Sequence, residues 1–267
     1  YASELWTNRS LAEHARIHCI KAGHPSLGKI NRGTVSKILS KSSVRPHKIS
    51  YYLDRRDPEF DSKMVQVLHV YKQVSMIKDN SADDLSSVYL SYDEKPGIQA
   101  ISNIAPDLPP VPGKHPTVSR DYEYKRHGTV SFLAGIDLVT GHVHHMVTDR
   151  HRSLEFVTFL RLLDICYPDD VTIRIVLDNH SAHVSKETRL YLSSVPNRFD
   201  FIFTPKHGSW LNIIESFFAK MAKTFLRGIR VNSKDELKDR ITNWVGEINA
   251  FPVVFNWKYG LDSLNEL

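Results

Sequence analysis

Three acidic residues stand where a carboxylate could do chemistry. Asp93 follows Val-Tyr-Leu-Ser-Tyr, Asp178 follows Val-Thr-Ile-Arg-Ile-Val-Leu, and Glu215 lies within Ser-Trp-Leu-Asn-Ile-Ile-Glu-Ser-Phe-Phe. The first two segments are patterned as strands and the third as a helix. In an α/β fold, carboxylates at strand ends and on a later helix can converge, and three of them hold Mg²⁺ or Mn²⁺. A pair of such ions can cut and rejoin a phosphodiester backbone.

Asp178 and Glu215 have different kinds of support. Asp178 comes directly after a β-branched strand, at the carboxyl end where α/β folds place ligands, although a helix-cap or turn aspartate fits equally well. Glu215 adjoins the apolar stripe of its helix, so we expect it to be partly buried and to need a cation or hydrogen bonds. The alternative for Glu215 is a glutamate at the rim that reaches water.

Asp93 is followed by a second acid, Glu94. Because neighbouring strand residues point to opposite faces, Asp93 shares a face with Tyr89 and Ser91, whereas Glu94 aligns with Tyr92. Periodicity therefore favours Asp93 for a polar site. A solvated strand end is the alternative for the pair.

Further polar side chains are candidates for the same site. Asn179 and Asn212 are expected to orient the carboxylates, and His183 to border the site through a substrate phosphate or a bond to a ligand. Zinc is not favoured, because only His180 and His183 have a spacing that could pair ligands. Five basic residues are candidate phosphate contacts: Arg150, Arg152, Lys206, His207 and Lys220.

Composition restricts the class of protein. The chain has 267 residues, is 41% hydrophobic and carries a net charge of +5, so it can build a core and suits a polyanionic partner. Its two cysteines, Cys19 and Cys166, predict buried free thiols in a reducing compartment. No apolar run approaches the ~20 residues that span a bilayer, and no secretory signal is present. Because the chain begins with Tyr1, we expect a truncated N-terminus.

Residues 1–42 are predicted to form a helix-turn-helix domain. Leu11, Ala15 and Cys19 recur at helical spacing before Gly23. A second helix follows, and we expect it to turn its apolar residues, Val35, Ile38 and Leu39, inward. Its exposed residues would then contact DNA, namely Arg32, Thr34, Ser36, Lys37 and Lys41. An ordinary helical hairpin with a basic face is the alternative.

Residues 43–85 are predicted to be a linker and a connecting helix. The linker is basic and irregular, and we expect it to lie along DNA with Arg45 and Lys48 in contact. Asp57-Pro58 then supplies an N-cap and a proline at the first helical position.

Residues 86–267 are predicted to form an α/β domain. The strands are expected at about 87–93, 129–137, 142–148, 171–177 and 199–203, with a helix before each of the last two strands. Later helices are expected over 209–227 and after the capping box Ser233-x-x-Glu236. The connection 97–127 contains five prolines, so we expect it to be irregular.

Three parts of the sequence resemble a known family. They are Asp93, the block Leu-Asp-Asn-His-Ser-Ala-His at 177–183 and the block Thr-Pro-Lys-His-Gly-Ser-Trp-Leu-Asn-Ile-Ile-Glu at 204–215. In this order and spacing they closely resemble bacterial insertion-sequence transposases of the mariner-like DDE superfamily. The resemblance extends over nearly the whole chain, including 6–12, 34–39, 56–60 and 92–97. It implies a ribonuclease-H-like mixed sheet flanked by helices, preceded by a small all-α helix-turn-helix domain. It assigns the catalytic, metal-ligand role to Asp93, Asp178 and Glu215.

The resemblance also implies the reaction and the partners. Two Mg²⁺ or Mn²⁺ ions would serve cleavage at transposon ends and transfer of 3′-hydroxyl ends into target DNA. Transposon-end DNA and target DNA are the expected partners of a homodimer, with no membrane or small-molecule substrate, in the bacterial cytoplasm at the nucleoid. Relatives carry a loop that contacts a partner subunit where this chain has 97–127, and a further helix-turn-helix before the one seen here. The alternatives are an inactive or domesticated DNA-binding regulator and a ribonuclease-H-like nuclease that cuts without joining.

Overall fold

A computed structural model describes residues 5–43, 45, 48–49, 57–80, 86–255 and 257. The chain divides into two compact units, Tyr1–Asp54 and Arg55–Leu267. The domain boundaries predicted after residues 42 and 85 stay predictions.

Among its described residues, the smaller unit contains two α-helices connected by residues 19–31. Helix α1 spans Asn8–His18 and helix α2 spans Arg32–Lys41, with a 3₁₀ segment at Pro25–Lys29 between them. Each helix is capped by the residue before it, because Thr7 Oγ1 accepts from the Ser10 amide and Asn31 Oδ1 from the Thr34 amide.

Two short helices bury only a narrow stripe. On α2, Val35 is buried and Leu39 is half-buried, but Ile38 is 52% exposed. The expectation that Ile38 faces inward is therefore wrong, because the unit has no further element to cover that side of α2 among its described residues.

The larger unit is built on a five-stranded sheet of order β3-β2-β1-β4-β5. The antiparallel part comprises β1 (Ser87–Asn103), β2 (Tyr124–Asp137) and β3 (Val143–Thr148). The parallel part adds β4 (Thr172–Leu177) beside β1 and β5 (Phe199–Phe203) beside β4. The predicted mixed sheet is confirmed.

Strand β1 is about twice as long as predicted. The strand was predicted at about 87–93, yet it continues through Pro96-Gly97 to Asn103. A register shift between Lys95 and Ile98 and a positive φ of 70° at Gly97 absorb the proline as a bulge. The irregular connection is thereby reduced to residues 104–123.

Helices cover both faces of the sheet. Helix α3 (Phe60–Asn80), α6 (Ile214–Thr224) and α7 (Lys234–Ala250) pack on one face, and α4 (Ser153–Cys166) with α5 (Lys186–Ser194) on the other. Alternation along β1 sends Tyr89 towards α3, and Leu90 and Tyr92 towards α4.

Two predicted helix starts are shifted. The residue that caps α4 is Arg152, one before the predicted Ser153. The helix predicted over 209–227 divides into a 3₁₀ turn at Ser209–Leu211, helix α6 and a 3₁₀ turn at Leu226–Gly228. Helix α7 begins after Ser233, whose Oγ accepts from the Glu236 amide at 3.0 Å, as the capping box predicts.

Candidate active site

Asp93 and Asp178 occupy matching positions relative to the paired residues of the parallel strands β1 and β4. Ser91 on β1 is paired with Val176 on β4, so Asp93 and Asp178 each stand two residues beyond a registered pair. Strand β4 ends at Leu177, whereas β1 continues. Asp178 therefore lies directly after the carboxyl end of a parallel strand, where α/β folds bind ligands, and Asp93 lies on the adjacent strand.

The chemistry of the donors fits a hard divalent cation. Carboxylate oxygens of Asp93, Glu94 and Asp178 all lie within 4.8 Å of one another. Oxygen-only donors suit Mg²⁺ or Mn²⁺ rather than zinc. Burial, followed by the charges of Asp178, Glu94 and Glu215, raises the pKa of Asp93 to about 7 against a hydrogen bond from the Glu94 amide. A bound cation would relieve this excess of negative charge.

A buried histidine holds Asp178. His183 Nδ1 lies 2.9 Å from the Asp178 carbonyl oxygen and 3.2 Å from its carboxylate Oδ1, while Nε2 lies 3.1 Å from Glu94 Oε1. Burial alone would lower the pKa of His183, but its bonds to Asp178 and Glu94 raise it to about 9. Burial would raise the pKa of Asp178, and the bonds from His183 and the His180 amide lower it instead.

Glu215 occupies the first turn of α6 and is exposed. The prediction that it is partly buried is wrong, because the helix starts only at Ile214 and its stripe is formed by Ile214, Phe217 and Met221. Its charge nevertheless contributes to the raised pKa of Asp93, so Glu215 lies within electrostatic reach of the pair. In the described part of the chain it is not one of the carboxylates within 4.8 Å of one another.

The amide nitrogens of Asn179 and Asn212 donate to main-chain carbonyls, which differs from the prediction that these side chains orient the carboxylates. Asn212 Oδ1 accepts from Ser91 Oγ, and its Nδ2 donates to the Tyr92 carbonyl at 2.8 Å. Asn179 Nδ2 donates to the Thr204 carbonyl at 2.5 Å. Among the residues with described side chains, neither amide reaches a carboxylate. Both are used to satisfy backbone groups where the loop after β5 passes over the sheet.

Comparison with protein families decides what kind of centre this is. A family model described as "DDE superfamily endonuclease" matches residues 97–238, more than half of the chain. The chain belongs to the DDE superfamily of endonucleases. The matched segment contains Asp178 and Glu215 and begins four residues after Asp93, so the predicted family and enzyme class are confirmed.

The endonuclease is similar to a bacterial insertion-element protein over almost its whole length. "Insertion element IS630 uncharacterized 39 kDa protein" of Shigella sonnei is 24% identical over 263 residues, covering 98% of this chain and 69% of the relative.

Solved structures share the fold of the endonuclease. The Mos1 strand transfer complex gives a TM-score of 0.55 at 16% identity, covering 99% of this chain and 72% of the other. The Mos1 mariner paired end complex with Mn gives 0.53 at 16% identity, covering 92% and 68%. The ribonuclease-H-like fold is confirmed. No helix in the described ranges is long and apolar enough to cross a membrane.

The predicted DNA contacts of the endonuclease are exposed. On α2 these are Arg32, Thr34, Ser36, Lys37 and Lys41, and elsewhere Arg45, Lys48, Arg150, Arg152, Lys206 and His207. Arg152 is paired with Glu155, with Nη2 3.1 Å from Oε1. Their role in DNA binding stays a prediction.

Two positions at the site of the endonuclease did not stand out as functional in the sequence. Strand alternation favours Asp93 over Glu94 for a polar site, and it places Glu94 correctly on the Tyr92 face. Asp57 was predicted only as a helix cap, yet its Oδ2 also accepts from the Lys206 amide at 3.0 Å and from Lys63 Nζ at 3.1 Å. The Lys206 bond is the main reason that the pKa of Asp57 is lowered to about 2.

Proposed function

We propose that this endonuclease is a DNA transposase that cuts at the ends of a mobile element and joins the freed 3′-hydroxyl to target DNA. The observation that carries the proposal is the meeting of Asp93 and Asp178 on the central strands of a DDE-family sheet, with carboxylate oxygens within 4.8 Å.

Asp93 and Asp178 would hold divalent metal, with Glu215 as the third acid. When bound, two Mg²⁺ or Mn²⁺ ions would supply Lewis-acid chemistry, which makes water or a 3′-hydroxyl more acidic and stabilises a leaving oxygen. The chain itself prepares the ligands. His183 keeps Asp178 ionised and in place, and the Glu94 amide donates to Asp93 Oδ1 at 2.8 Å.

Other residues would bind the DNA backbone. Lys206 and His207 are exposed in the loop after β5, which Asn179 and Asp57 fasten at the same end of the sheet as Asp178. Arg150 and Arg152 precede α4. Basic side chains in these places suit phosphate oxygens.

The comparisons support the choice of partners. The Shigella relative is a protein of an insertion element, and the Mos1 structures are a paired end complex and a strand transfer complex. We propose transposon-end DNA and target DNA as the partners of this chain, acting as a homodimer in the bacterial cytoplasm at the nucleoid.

A strand-transfer assay tests the proposal. The substrate is the DNA that flanks the coding sequence in its genome, with supercoiled plasmid as target and Mg²⁺ or Mn²⁺ present. We expect the protein to cut and join, and Asp178→Ala to do neither while still binding the DNA. Asp170→Ala is the matched control, because Asp170 is exposed in the turn that precedes β4, at the opposite end of the same strand.

The same assay separates the alternatives. Cutting without joining would identify a nuclease, and binding without either step would identify a DNA-binding regulator. Joining by Asp178→Ala at the level of the unchanged protein would refute the assigned site.

A further inference from the structure

A chain of buried hydrogen bonds runs from the core to Asp178. The Tyr92 hydroxyl donates to Glu94 Oε1 at 2.9 Å, and His183 Nε2 lies 3.1 Å from the same oxygen. His183 Nδ1 then reaches Asp178. Tyr92 is 0% exposed, and the side chains of His183 and Glu94 are 0% and 7% exposed. We propose that Tyr92, Glu94 and His183 are positioning residues that hold the Asp178 carboxylate ready to bind metal.

The direction of each bond follows from its acceptor. The Asp178 carbonyl oxygen carries no hydrogen, so Nδ1 of His183 must donate. Nε2 faces a carboxylate oxygen that already accepts from Tyr92, so Nε2 also donates. Glu94 thus fixes the ring of His183, and the ring fixes Asp178.

Packing prevents the ring from turning away. The ring centroid of His183 lies 4.5 Å from that of Phe156 and 5.6 Å from that of Tyr92, which meets it edge-on. Side chains in a close-packed core move little from one rotamer. The ring is therefore held by contacts with two aromatic rings and by hydrogen bonds at both nitrogens.

Both bonds to the Asp178 carboxylate end on the same oxygen. Oδ1 accepts from the His180 amide at 2.9 Å and lies 3.2 Å from His183 Nδ1. Holding one oxygen sets the plane of the carboxylate, and the second oxygen stays available as a ligand. Partners of this kind in metalloproteins fix ligand orientation, and their loss costs about 10–100-fold in metal affinity.

Direct metal binding is the alternative role for the Glu94 carboxylate, and the geometry disfavours it. Its carboxylate is also within 4.8 Å of Asp93 and Asp178, so it could bind metal directly. However, Glu94 lies on the α4 face of β1, opposite to Asp93, and its Oε1 already faces two donors. The positioning role rests on the proposed metal site, and a double-mutant cycle separates the two roles of Glu94.

The test is Mn²⁺ binding by the full chain, measured from the electron paramagnetic resonance signal of free Mn²⁺. We expect Glu94→Gln and His183→Gln each to weaken binding about 10–100-fold. The double variant should be no weaker than the weaker single variant, because Glu94 acts through His183. Glu187→Gln, an exposed glutamate in the first turn of α5, should bind as the unchanged protein does.

Tyr92→Phe keeps the ring and removes only the hydroxyl, so it tests the chain even if a Glu94 variant does not fold. We expect a loss of roughly two- to tenfold, the worth of one hydrogen bond. Unchanged binding by Tyr92→Phe and Glu94→Gln would overturn the inference. Losses that multiply in the Glu94/His183 double variant would also overturn it, since Glu94 would then be a ligand itself.

Asp178→Asn distinguishes this inference from the proposed function. If the unchanged protein binds Mn²⁺ and Asp178→Asn does not, the metal site stands and the Glu94 results judge the positioning chain alone. If Asp178→Asn binds Mn²⁺ as well as the unchanged protein, the metal site and the positioning chain both fail.

Discussion

At the scale of single residues, the site combines two aspartates whose pKa values are shifted in opposite directions. Bonds from His183 and the His180 amide lower the pKa of Asp178, whereas burial and neighbouring carboxylates raise that of Asp93 from 3.8 to about 7. Between those two pH values the folded, metal-free protein binds a proton that the unfolded chain has released. The contribution of Asp93 to the free energy of unfolding therefore falls as the pH rises from about 4 to about 7, and above pH 7 the full cost of ionising this carboxylate remains.

Asp93→Asn should remove that cost. In EDTA at pH 8, we expect the variant to be more stable than the unchanged protein by roughly 1–3 kcal/mol, since one pKa unit is worth about 1.4 kcal/mol. The gain should shrink towards pH 5. Urea unfolding at both pH values measures it. Asp121→Asn is the control, because the exposed Asp121 also accepts a backbone amide hydrogen bond. Equal stability of Asp93→Asn and the unchanged protein at pH 8 would show that the ionised Asp93 carboxylate does not destabilise the fold.

Glu215 should matter for cleavage and not for folding. Because it is exposed, Glu215→Gln should change the free energy of unfolding by less than about 0.5 kcal/mol. Because Glu215 is proposed as the third acid, Glu215→Gln should lower the rate of DNA cleavage at least about 100-fold. Loss of a residue that only hydrogen-bonds to a metal ligand usually costs less than this. Glu187→Gln is again the control. If Glu215→Gln cleaves normally, the third acid lies elsewhere and Glu94 becomes the first candidate.

At the scale of elements, the loop after β5 is fastened from outside the sheet. Asp57, just before α3, accepts from the Lys206 amide, and its pKa is lowered to about 2. Its stabilising contribution is present above about pH 4 and is lost as the pH falls towards 2, because its folded-state pKa lies below the ordinary value of 3.8. The loop carries Lys206 and His207, so Asp57 links helix α3 to the proposed DNA contacts.

Asp57→Ala should loosen this loop. We expect faster amide hydrogen exchange at 204–208 at neutral pH and weaker cleavage, with β1 and β4 unchanged. Glu59→Ala is the matched control, because Glu59 Oε2 also lies 3.1 Å from Lys63 Nζ, whereas among the described residues its side chain accepts no bond from the loop. Equal exchange in the two variants would exclude Asp57 as the anchor.

The elements show why part of the site was predictable. Asp93 and Asp178 could be placed together because strand alternation and the carboxyl end of β4 are local properties. The Glu94–His183 bond joins residues 89 positions apart and depends on the register of β1 against β4, which local patterns do not specify. The predicted burial of Glu215 is wrong because apolar spacing continues through the 3₁₀ turn before α6. The spacing therefore hid the true start of the helix, which turns Glu215 outward.

At the scale of the whole molecule, the endonuclease combines a basic helical unit with a ribonuclease-H-like unit. The order of strands and helices in the larger unit was predictable, because each element has its own period and cap. The length of β1 was not, because a proline bulge and a strand end look alike in sequence. The polar face of α2 is exposed, and we propose it as the surface that would enter the major groove.

Changing that face should weaken DNA binding and leave metal binding intact. For Arg32→Ala and Lys37→Ala, we expect weaker binding of the flanking DNA, and a shallower salt dependence by about one unit per lost phosphate contact. Fluorescence anisotropy at several salt concentrations measures both. Lys72→Ala, an exposed lysine on α3, is the control. An unchanged salt dependence in the α2 variants would remove this helix from the DNA interface.

Anomalous diffraction from crystals of the full chain grown with Mn²⁺ would locate the metal ions themselves. We expect Mn²⁺ between the carboxylates of Asp93 and Asp178, and a second ion about 4 Å away on the side of Glu215. Asp178→Asn crystals should lose these peaks. Mn²⁺ found only among Glu94, His180 and His183, which also form a possible ligand group, would contradict the assignment of Asp93 and Asp178 as the metal-binding pair.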